Sequence, residues 1–116
     1  MEFEDLPSIA REELSNALLS CKSEVVSRAL LRMALHEIDW QWAEQRCLSA
    51  LKDERPQVRR AAAQGLGHIA RIHGKLTLPM AVEALTNLLT DPDIGGVAED
   101  ALDDILVFMR PPGEQS

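Results

Sequence analysis

The sequence repeats its own apolar pattern at an interval of 36 residues, and this internal repeat constrains the fold more than any other feature. Displacing the chain by 36 positions superposes the following pairs: Pro56 and Pro92, Val58 and Ile94, Ala62 and Ala98, Leu66 and Leu102, and Ile69 and Ile105. A second displacement brings Val26, Leu30 and Met33 onto the same apolar positions, and the match fades toward the N-terminus. Such a repeat is typical of helical units that bury their apolar faces only by stacking on one another, with a degenerate unit at the end.

Apolar residues at intervals of three and four predict six helices. They run from near Pro7 to about Ser20, from Ser23 to near His36, from Trp40 to about Lys52, through the segment that ends at Gly74, from Thr77 to Leu89, and from about Gly95 to Met109. Ser23 and Asp39 can cap helix starts, and Gly74 can cap a helix end. Because the joints are short, we expect three antiparallel helix pairs in an all-α fold.

The same spacing assigns individual side chains to the core. Trp40 and Trp42 are two residues apart on one helix and cannot share a face, so we expect one of them to be rather exposed. Cys21 and Cys47 are expected to be reduced thiols packed among the helices. In the sixth helix, we expect the following side chains to face the core: Ala98, Leu102, Ile105, Leu106 and Met109.

Two segments carry a recognisable motif. DERPQVRRAAAQGLGHI, residues 53–69, resembles the HEAT repeat signature, with Asp and Pro in a turn followed by Val-Arg, small residues and Leu-Gly, and DPDIGGVAEDALDDI, residues 91–105, repeats it more weakly. The resemblance implies a right-handed α-solenoid whose second, fourth and sixth helices line a concave side. It also implies that Arg59 links neighbouring turns through Asp53 or Asp91. Gly95 stands where the family has an Arg, so the resemblance implies a weaker last contact between repeats.

Charge and length narrow the function classes. The net charge of -7 argues against a nucleic-acid binder and favours basic protein partners. The chain has no apolar run long enough for a membrane span, and its acidic N-terminus is unlike a signal peptide, so we expect a cytoplasmic protein that does not act at a membrane. We expect one domain over residues 1–110 and a flexible tail over residues 111–116.

The charges are also unevenly placed. Residues 55–75 hold five bases and no acid, whereas residues 91–104 hold six acids and no base. Glu99, Asp100, Asp103 and Asp104 should form a carboxylate stripe on the sixth helix. Favourable placement near a helix start could account for Asp93, Glu99 and in part Asp100, but it accounts poorly for Asp103 and Asp104. The alternative is a surface that binds a protein partner.

Further partner-binding candidates lie outside the stripe. The solenoid geometry implied by the resemblance places four side chains on the concave side: Arg60, Gln64, His68 and Arg71. Trp40 is either a side chain packed in a joint or an interface anchor, because tryptophan is enriched among residues that dominate binding energy.

No pattern in the sequence indicates catalysis. His68 and His73 are five residues apart and Gly65 and Gly67 lie within a helix, so neither a helical metal site nor a phosphate loop is expected. His36 and Glu37 resemble one of the His-Glu pairs of iron-binding HEAT hydroxylases, which require several such pairs. We expect no catalytic residue, metal or cofactor.

Size, charge and repeat type are similar to those of small bacterial HEAT-like immunity proteins, which neutralise secreted toxins. This resemblance implies a stoichiometric inhibitor of a basic toxin domain, such as a nuclease or another growth-inhibiting toxin. An adaptor in another assembly fits the same sequence features. A third alternative is a detached capping piece of a larger solenoid, but the acidic ends and the complete length of three pairs argue against it. HEAT-like bilin lyases, hydroxylases and DNA glycosylases are the enzymatic alternatives. Each of them needs a feature that the sequence lacks: a longer stack, several His-Glu pairs or a basic groove.

Overall fold

The computed structural model describes residues 6–109, and within that range the chain forms six α-helices and no strand. The helices are α1 (Arg11–Leu18), α2 (Ser23–His36), α3 (Trp40–Ala50), α4 (Pro56–His73), α5 (Leu78–Thr86) and α6 (Gly95–Phe108). The prediction of an all-α fold with six helices is confirmed. The expected tail over residues 111–116 lies outside the described part of the chain.

The six helices form three stacked pairs in two layers. Helices α2, α4 and α6 lie side by side, with α4 in the middle and in contact along both flanks. Each first helix packs on the second helix of its own pair, α1 on α2, α3 on α4 and α5 on α6, and α3 also touches α2 more lightly. The α2–α4–α6 layer therefore holds the molecule together, and α4 is its central element.

The core explains the 36-residue repeat. Leu30 and Leu66 occupy equivalent places in successive pairs and are fully buried. Leu102, the third member of this series, is only half-buried, because no further layer covers α6 within residues 6–109. At the adjacent repeat position, Met33, Ile69 and Ile105 are all buried. Equivalent residues thus meet equivalent surroundings, as expected for a stack of repeats.

Two of the three expected caps are observed. The Asp39 carboxylate accepts a hydrogen bond from the Trp42 backbone N–H at 3.2 Å and starts α3. Gly74 ends α4 with φ of +63°, in the left-handed region that favours glycine, and its N–H donates to the Ala70 carbonyl. The Ser23 cap is wrong: Ser23 is the first residue of α2, and the preceding turn is held instead by the Ser20 hydroxyl.

The first helix begins later than expected. It starts at Arg11, because the backbone before it is engaged by α2. The Arg32 guanidinium donates to the Pro7 carbonyl at 3.0 Å and to the Ser8 carbonyl at 2.6 Å, and Ala10 is extended. These carbonyls are therefore held by a side chain of the next helix and the segment does not join α1.

Arg59 connects the turns of the second and third pairs. Its guanidinium donates to the Asp53 carbonyl at 2.8 Å and to the Glu54 carbonyl at 2.9 Å. The same group lies 3.4 Å from the Asp91 carboxylate in the next turn. The prediction that Arg59 links neighbouring turns is confirmed. In the last pair, a Cβ at Gly95 would lie 2.5 Å from the Leu89 carbonyl oxygen, so the backbone itself requires glycine there.

Three side-chain predictions are wrong for identifiable reasons. Leu106 is 71% exposed, because the buried stripe of α6 passes through Ala98, Ala101 and Ile105 and the next residue lies about 100° around the helix. Both tryptophans are half-buried. Trp40 packs against the core, and the Arg11 and Arg46 guanidiniums cover the Trp42 ring at 4.3 and 5.2 Å from its centroid. Cys21 is exposed, whereas Cys47 is buried and burial raises the pKa of its thiol to about 12.

Candidate partner-binding surface

The acidic residues of α6 form one continuous surface. Glu99, Asp100 and Asp103 are exposed, and Asp104 is half-buried on the side of the helix that faces α4. All four belong to α6, where residues three and four apart are neighbours on the helix surface. The predicted carboxylate stripe is therefore present.

The first turn of α6 does not explain these charges. It contains no acidic residue, since α6 begins at Gly95, and the helix macrodipole acts mainly within that turn. Asp91 is instead a structural residue, whose carboxylate accepts from the Asp93 N–H at 2.8 Å and the Ile94 N–H at 3.2 Å. A position near a helix start therefore does not explain even Glu99, for which the sequence analysis had allowed that explanation.

The stripe is not neutralised within the described chain. Over residues 6–109, no lysine or arginine nitrogen lies within 4 Å of the carboxylates of Glu99, Asp100, Asp103 or Asp104. Burial raises the pKa of Asp104 above its ordinary value, and the neighbouring Asp100 and Asp103 raise it further, while Arg71 opposes them. The surface therefore carries mutual repulsion that a bound cation would relieve.

A cavity of about 180 Å³ lies between α4 and α6 and brings four of the expected residues together. Its polar lining consists of Gln64, His68, Asp100 and Asp104, and its apolar lining of Val97 and Ala101. The sequence had placed these polar residues in two separate groups, one on each helix. The packing of α6 against α4 merges them into one half-open site with two carboxylates.

His68 is a buried wall of this cavity and is fixed by Arg71. The Arg71 guanidinium lies 2.9 Å from His68 Nδ1. Because a guanidinium can only donate, Nδ1 is the acceptor of this hydrogen bond. This hydrogen bond holds Arg71 at the edge of the site.

Two predicted partner-binding residues lie elsewhere. Arg60 is exposed on α4, and its guanidinium donates to the Asp93 carbonyl at 3.0 Å, which ties the turn before α6 to α4. Trp40 is half-buried at the start of α3 and packs against the core. The structure does not bring Trp40 into the α4–α6 surface.

Sequence reasoning missed an apolar extension of the stripe. Leu106 and Val107 are 71% and 61% exposed, and Phe108 is 44% exposed, in the last turns of α6. Asp103 is three residues before Leu106 and four before Val107, so acidic and apolar surface adjoin. The signal was available in the sequence, because five apolar residues in a row, 105 to 109, cannot all face one core.

A larger groove of about 680 Å³ lies between α3 and α5, in the other layer. Its floor includes Leu48, Leu51 and Leu88, and Arg46, Lys52 and Glu83 stand among its lining residues. None of the predicted partner-binding residues lines it. Within residues 6–109 no group of three or more His, Cys, Asp and Glu side chains could hold a metal ion, and no helix has both the length and the apolar character to cross a bilayer.

Comparison with protein families matches the chain to a model described as HEAT repeats, over residues 11–103. The chain belongs to the HEAT repeat family. The match extends from the start of α1 into α6, so all three helix pairs are HEAT repeats, including the first pair, whose sequence echo is faint.

Among solved structures, the HEAT repeat chain is similar to a chain in the crystal structure of a CDI complex from Cupriavidus taiwanensis LMG 19424. The two are 34% identical with a TM-score of 0.81, and the similarity covers 93% of this chain and 97% of the other. Comparison with curated proteins gives no match.

Proposed function

We propose that this HEAT repeat protein is an immunity protein, which binds a cognate toxin domain and neutralises it. The observation that carries the proposal is the similarity to a chain of a CDI complex, at 34% identity over nearly the whole of both chains. CDI denotes contact-dependent inhibition, in which one component inhibits growth and its partner protects against it. A HEAT repeat stack of this size suits the protecting partner, because stacked helix pairs offer an extended binding surface.

The acidic surface of α6 supports a basic partner. Four carboxylates without an ion pair in the described chain create a negative field, which speeds encounter with a positively charged surface and orients it. Toxins that cleave nucleic acid need basic clefts, since phosphate binding is driven by lysine and arginine. An acidic inhibitor would occupy such a cleft and exclude the substrate.

The apolar end of α6 would supply binding energy that charge alone does not. Leu106, Val107 and Phe108 form an exposed apolar patch directly after the stripe. Interfaces typically combine a small apolar centre with a polar rim, and the centre provides most of the free energy of binding. We therefore assign α6 as the main recognition helix, with Gln64, His68 and Arg71 of α4 beside it.

Inhibition requires no chemistry from this chain. The protein would act in the cytoplasm of the cell that it protects, by forming a stoichiometric complex with the incoming toxin domain. Neither a cofactor nor a metal enters this account.

A protection assay tests the proposed function. The product of the reading frame adjacent to this gene is expressed from an inducible promoter, with and without this protein. We expect growth arrest without the protein and normal growth with it, together with a 1:1 complex on size-exclusion chromatography. A complex that forms without protection would indicate an adaptor, and would contradict the immunity assignment.

A further inference from the structure

We propose that the cavity between α4 and α6 receives a single arginine side chain, with its guanidinium between Asp100 and Asp104. The proposed function identifies the donor of that arginine as the toxin, and to that extent the inference rests on it. The ligand chemistry itself follows from the cavity.

Charge and burial in the cavity point to a cation. Two carboxylates, those of Asp100 and Asp104, share one half-buried site, and the base nearest to it, Arg71, is hydrogen-bonded to His68 Nδ1. Partial burial destabilises the ionised form of Asp104, as do Asp100 and Asp103 beside it. A cation placed between Asp100 and Asp104 would offset both effects.

The size and ligand set of the cavity favour an organic cation over a metal ion. A volume of about 180 Å³ corresponds to roughly six water molecules at about 30 Å³ each, which is ample for the four heavy atoms of a guanidinium and its adjoining methylene groups. No group of His, Cys, Asp and Glu suited to a metal ion exists in residues 6–109. Val97 and Ala101 supply an apolar wall suited to a methylene chain.

The arrangement of acceptors favours arginine over lysine. Asp100 and Asp104 are one helical turn apart on α6, and the Gln64 amide faces them from α4. A guanidinium presents five N–H donors in one plane and can engage acceptors on several sides at once, whereas an ammonium is a compact and more strongly hydrated charge. A half-buried site with acceptors from two helices therefore selects the guanidinium.

Gly67 is the residue that creates room for this geometry. A Cβ at position 67 would lie 2.9 Å from Asp104 Oδ2, so the carboxylate rests against bare backbone of α4. Any larger residue would displace the Asp104 side chain while keeping its charge. Gly67→Ala therefore moves the Asp104 carboxylate without removing its charge, and so tests whether the position of this carboxylate matters for binding.

The test uses three capped tripeptides, Gly-Arg-Gly, Gly-Lys-Gly and Gly-citrulline-Gly, titrated into the labelled full-length protein and followed by NMR. We expect the arginine peptide to shift the amide signals of Gln64, Ala101 and Asp104 with saturation. The citrulline peptide, which has the same shape without the charge, should bind at least about tenfold more weakly, since charged hydrogen bonds exceed neutral ones by about 1.4 kcal/mol or more. The lysine peptide should also bind more weakly.

Variants locate the site. Asp104→Asn and Gly67→Ala should each weaken arginine binding. The control is Glu24→Gln, which removes an exposed carboxylate of α2 outside the cavity lining and outside the stripe, and it should leave binding within about twofold, the size of a screened surface charge effect. A folded Asp104→Asn protein with unchanged affinity would overturn the proposal. So would equal binding of arginine and citrulline, or binding that appears only in Arg71→Gln, which would mean that Arg71 itself fills the cavity.

This test and the protection assay fail independently. Arginine binding without protection from the toxin would retain the pocket and reject the immunity function. Protection without arginine binding would retain the function and reject the pocket.

Discussion

At the residue scale, two glycines of α4 have opposite surroundings although only one residue separates them. A Cβ at Gly65 would lie 2.8 Å from the Cys47 sulfur and 3.3 Å from the Ala34 Cβ, both in the core. A Cβ at Gly67 would meet only the far end of the Asp104 side chain at less than 3 Å. Glycine thus allows another helix to approach α4 closely at both positions, with different consequences.

Gly65→Ala and Gly67→Ala should therefore shift thermal stability in opposite directions. Overpacking against Cys47 should cost about 1 to 3 kcal/mol at position 65. At position 67 the Asp104 side chain can rotate away, so the gain in helix propensity of up to about 1 kcal/mol should dominate. Differential scanning calorimetry of the two variants measures this directly. Equal destabilisation by both would mean that Asp104 cannot move.

The Asp53–Arg55 pair gives stability a defined pH dependence. The Arg55 guanidinium donates to the Asp53 carboxylate at 2.9 and 3.0 Å and lowers the pKa of Asp53 to about 2. Because the folded pKa lies below the unfolded value near 3.9, the stabilisation is complete above that value and is lost as pH falls toward 2.

Asp53→Asn should accordingly lower the free energy of unfolding by up to about 1 kcal/mol at neutral pH, the upper range for an accessible ion pair. The difference from wild type should shrink between pH 4 and pH 2. Thermal melts followed by circular dichroism across this range provide the measurement. A constant difference at every pH would show that the ionised pair is not its source.

Single residues were predictable where the cause is local. The Asp39 cap and the Gly74 turn follow from preferences of those residue types at helix ends, and both are present. The Glu44 carboxylate, by contrast, is buried and accepts from the Thr77 hydroxyl at 2.7 Å, and the partner lies 33 residues away. No sequence pattern predicts such a pair, because its two residues come together only when α3 and the start of α5 pack in the folded protein.

At the element scale, the stack depends on α4 and on the turn that follows α5. Arg59 donates to two carbonyls of its own turn and pairs with Asp91 of the next. Its side chain is only 15% exposed, so these bonds are largely shielded from water. The Arg59 side chain thus connects the second and third helix pairs.

Arg59→Ala should destabilise the protein by about 2 to 3 kcal/mol, since charged hydrogen bonds to shielded acceptors are lost. The loss should be local first, with faster hydrogen exchange in α5 and α6 than in α2. Arg28→Ala is the control, because Arg28 is an exposed arginine of α2. Equally faster hydrogen exchange in all helices would contradict the role of Arg59 as a connection between these two pairs.

Helix existence was more predictable than helix limits or faces. The apolar spacing of three and four predicted the number of helices, and the 36-residue repeat predicted that they form three equivalent pairs. The start of α1 was predicted too early, because Arg32 holds the backbone at Pro7 and Ser8. The outward position of Leu106 was not predicted, because α6 has no outer neighbour in the described chain. The candidate site was half predictable: its acids and its polar α4 residues were identified, but the cavity that joins them is a product of packing.

At the scale of the whole molecule, charge is separated between adjacent helices of one layer. The five bases of residues 55–75 lie on or beside α4, and Arg59 and Arg60 among them are already engaged by the turn before α6. The acids of α6 keep no such partner in the described residues, and they adjoin an exposed apolar patch. The molecule therefore presents one helix that is both negative and apolar, as expected for a surface that binds a basic protein.

The most direct test of this account is the association kinetics of this protein with the toxin domain that the protection assay identifies, measured by biolayer interferometry at several salt concentrations. The triple variant Asp100→Asn, Asp103→Asn and Asp104→Asn changes the net charge from -7 to -4. Its control is Glu12→Gln, Glu24→Gln and Glu54→Gln, three exposed glutamates outside α6 with the same total change.

We predict association at least about tenfold slower for the α6 variant at low salt, with a flatter salt dependence, and little change for the control. Equal association rates and equal salt slopes for wild type and both variants would contradict recognition through the acidic surface of α6.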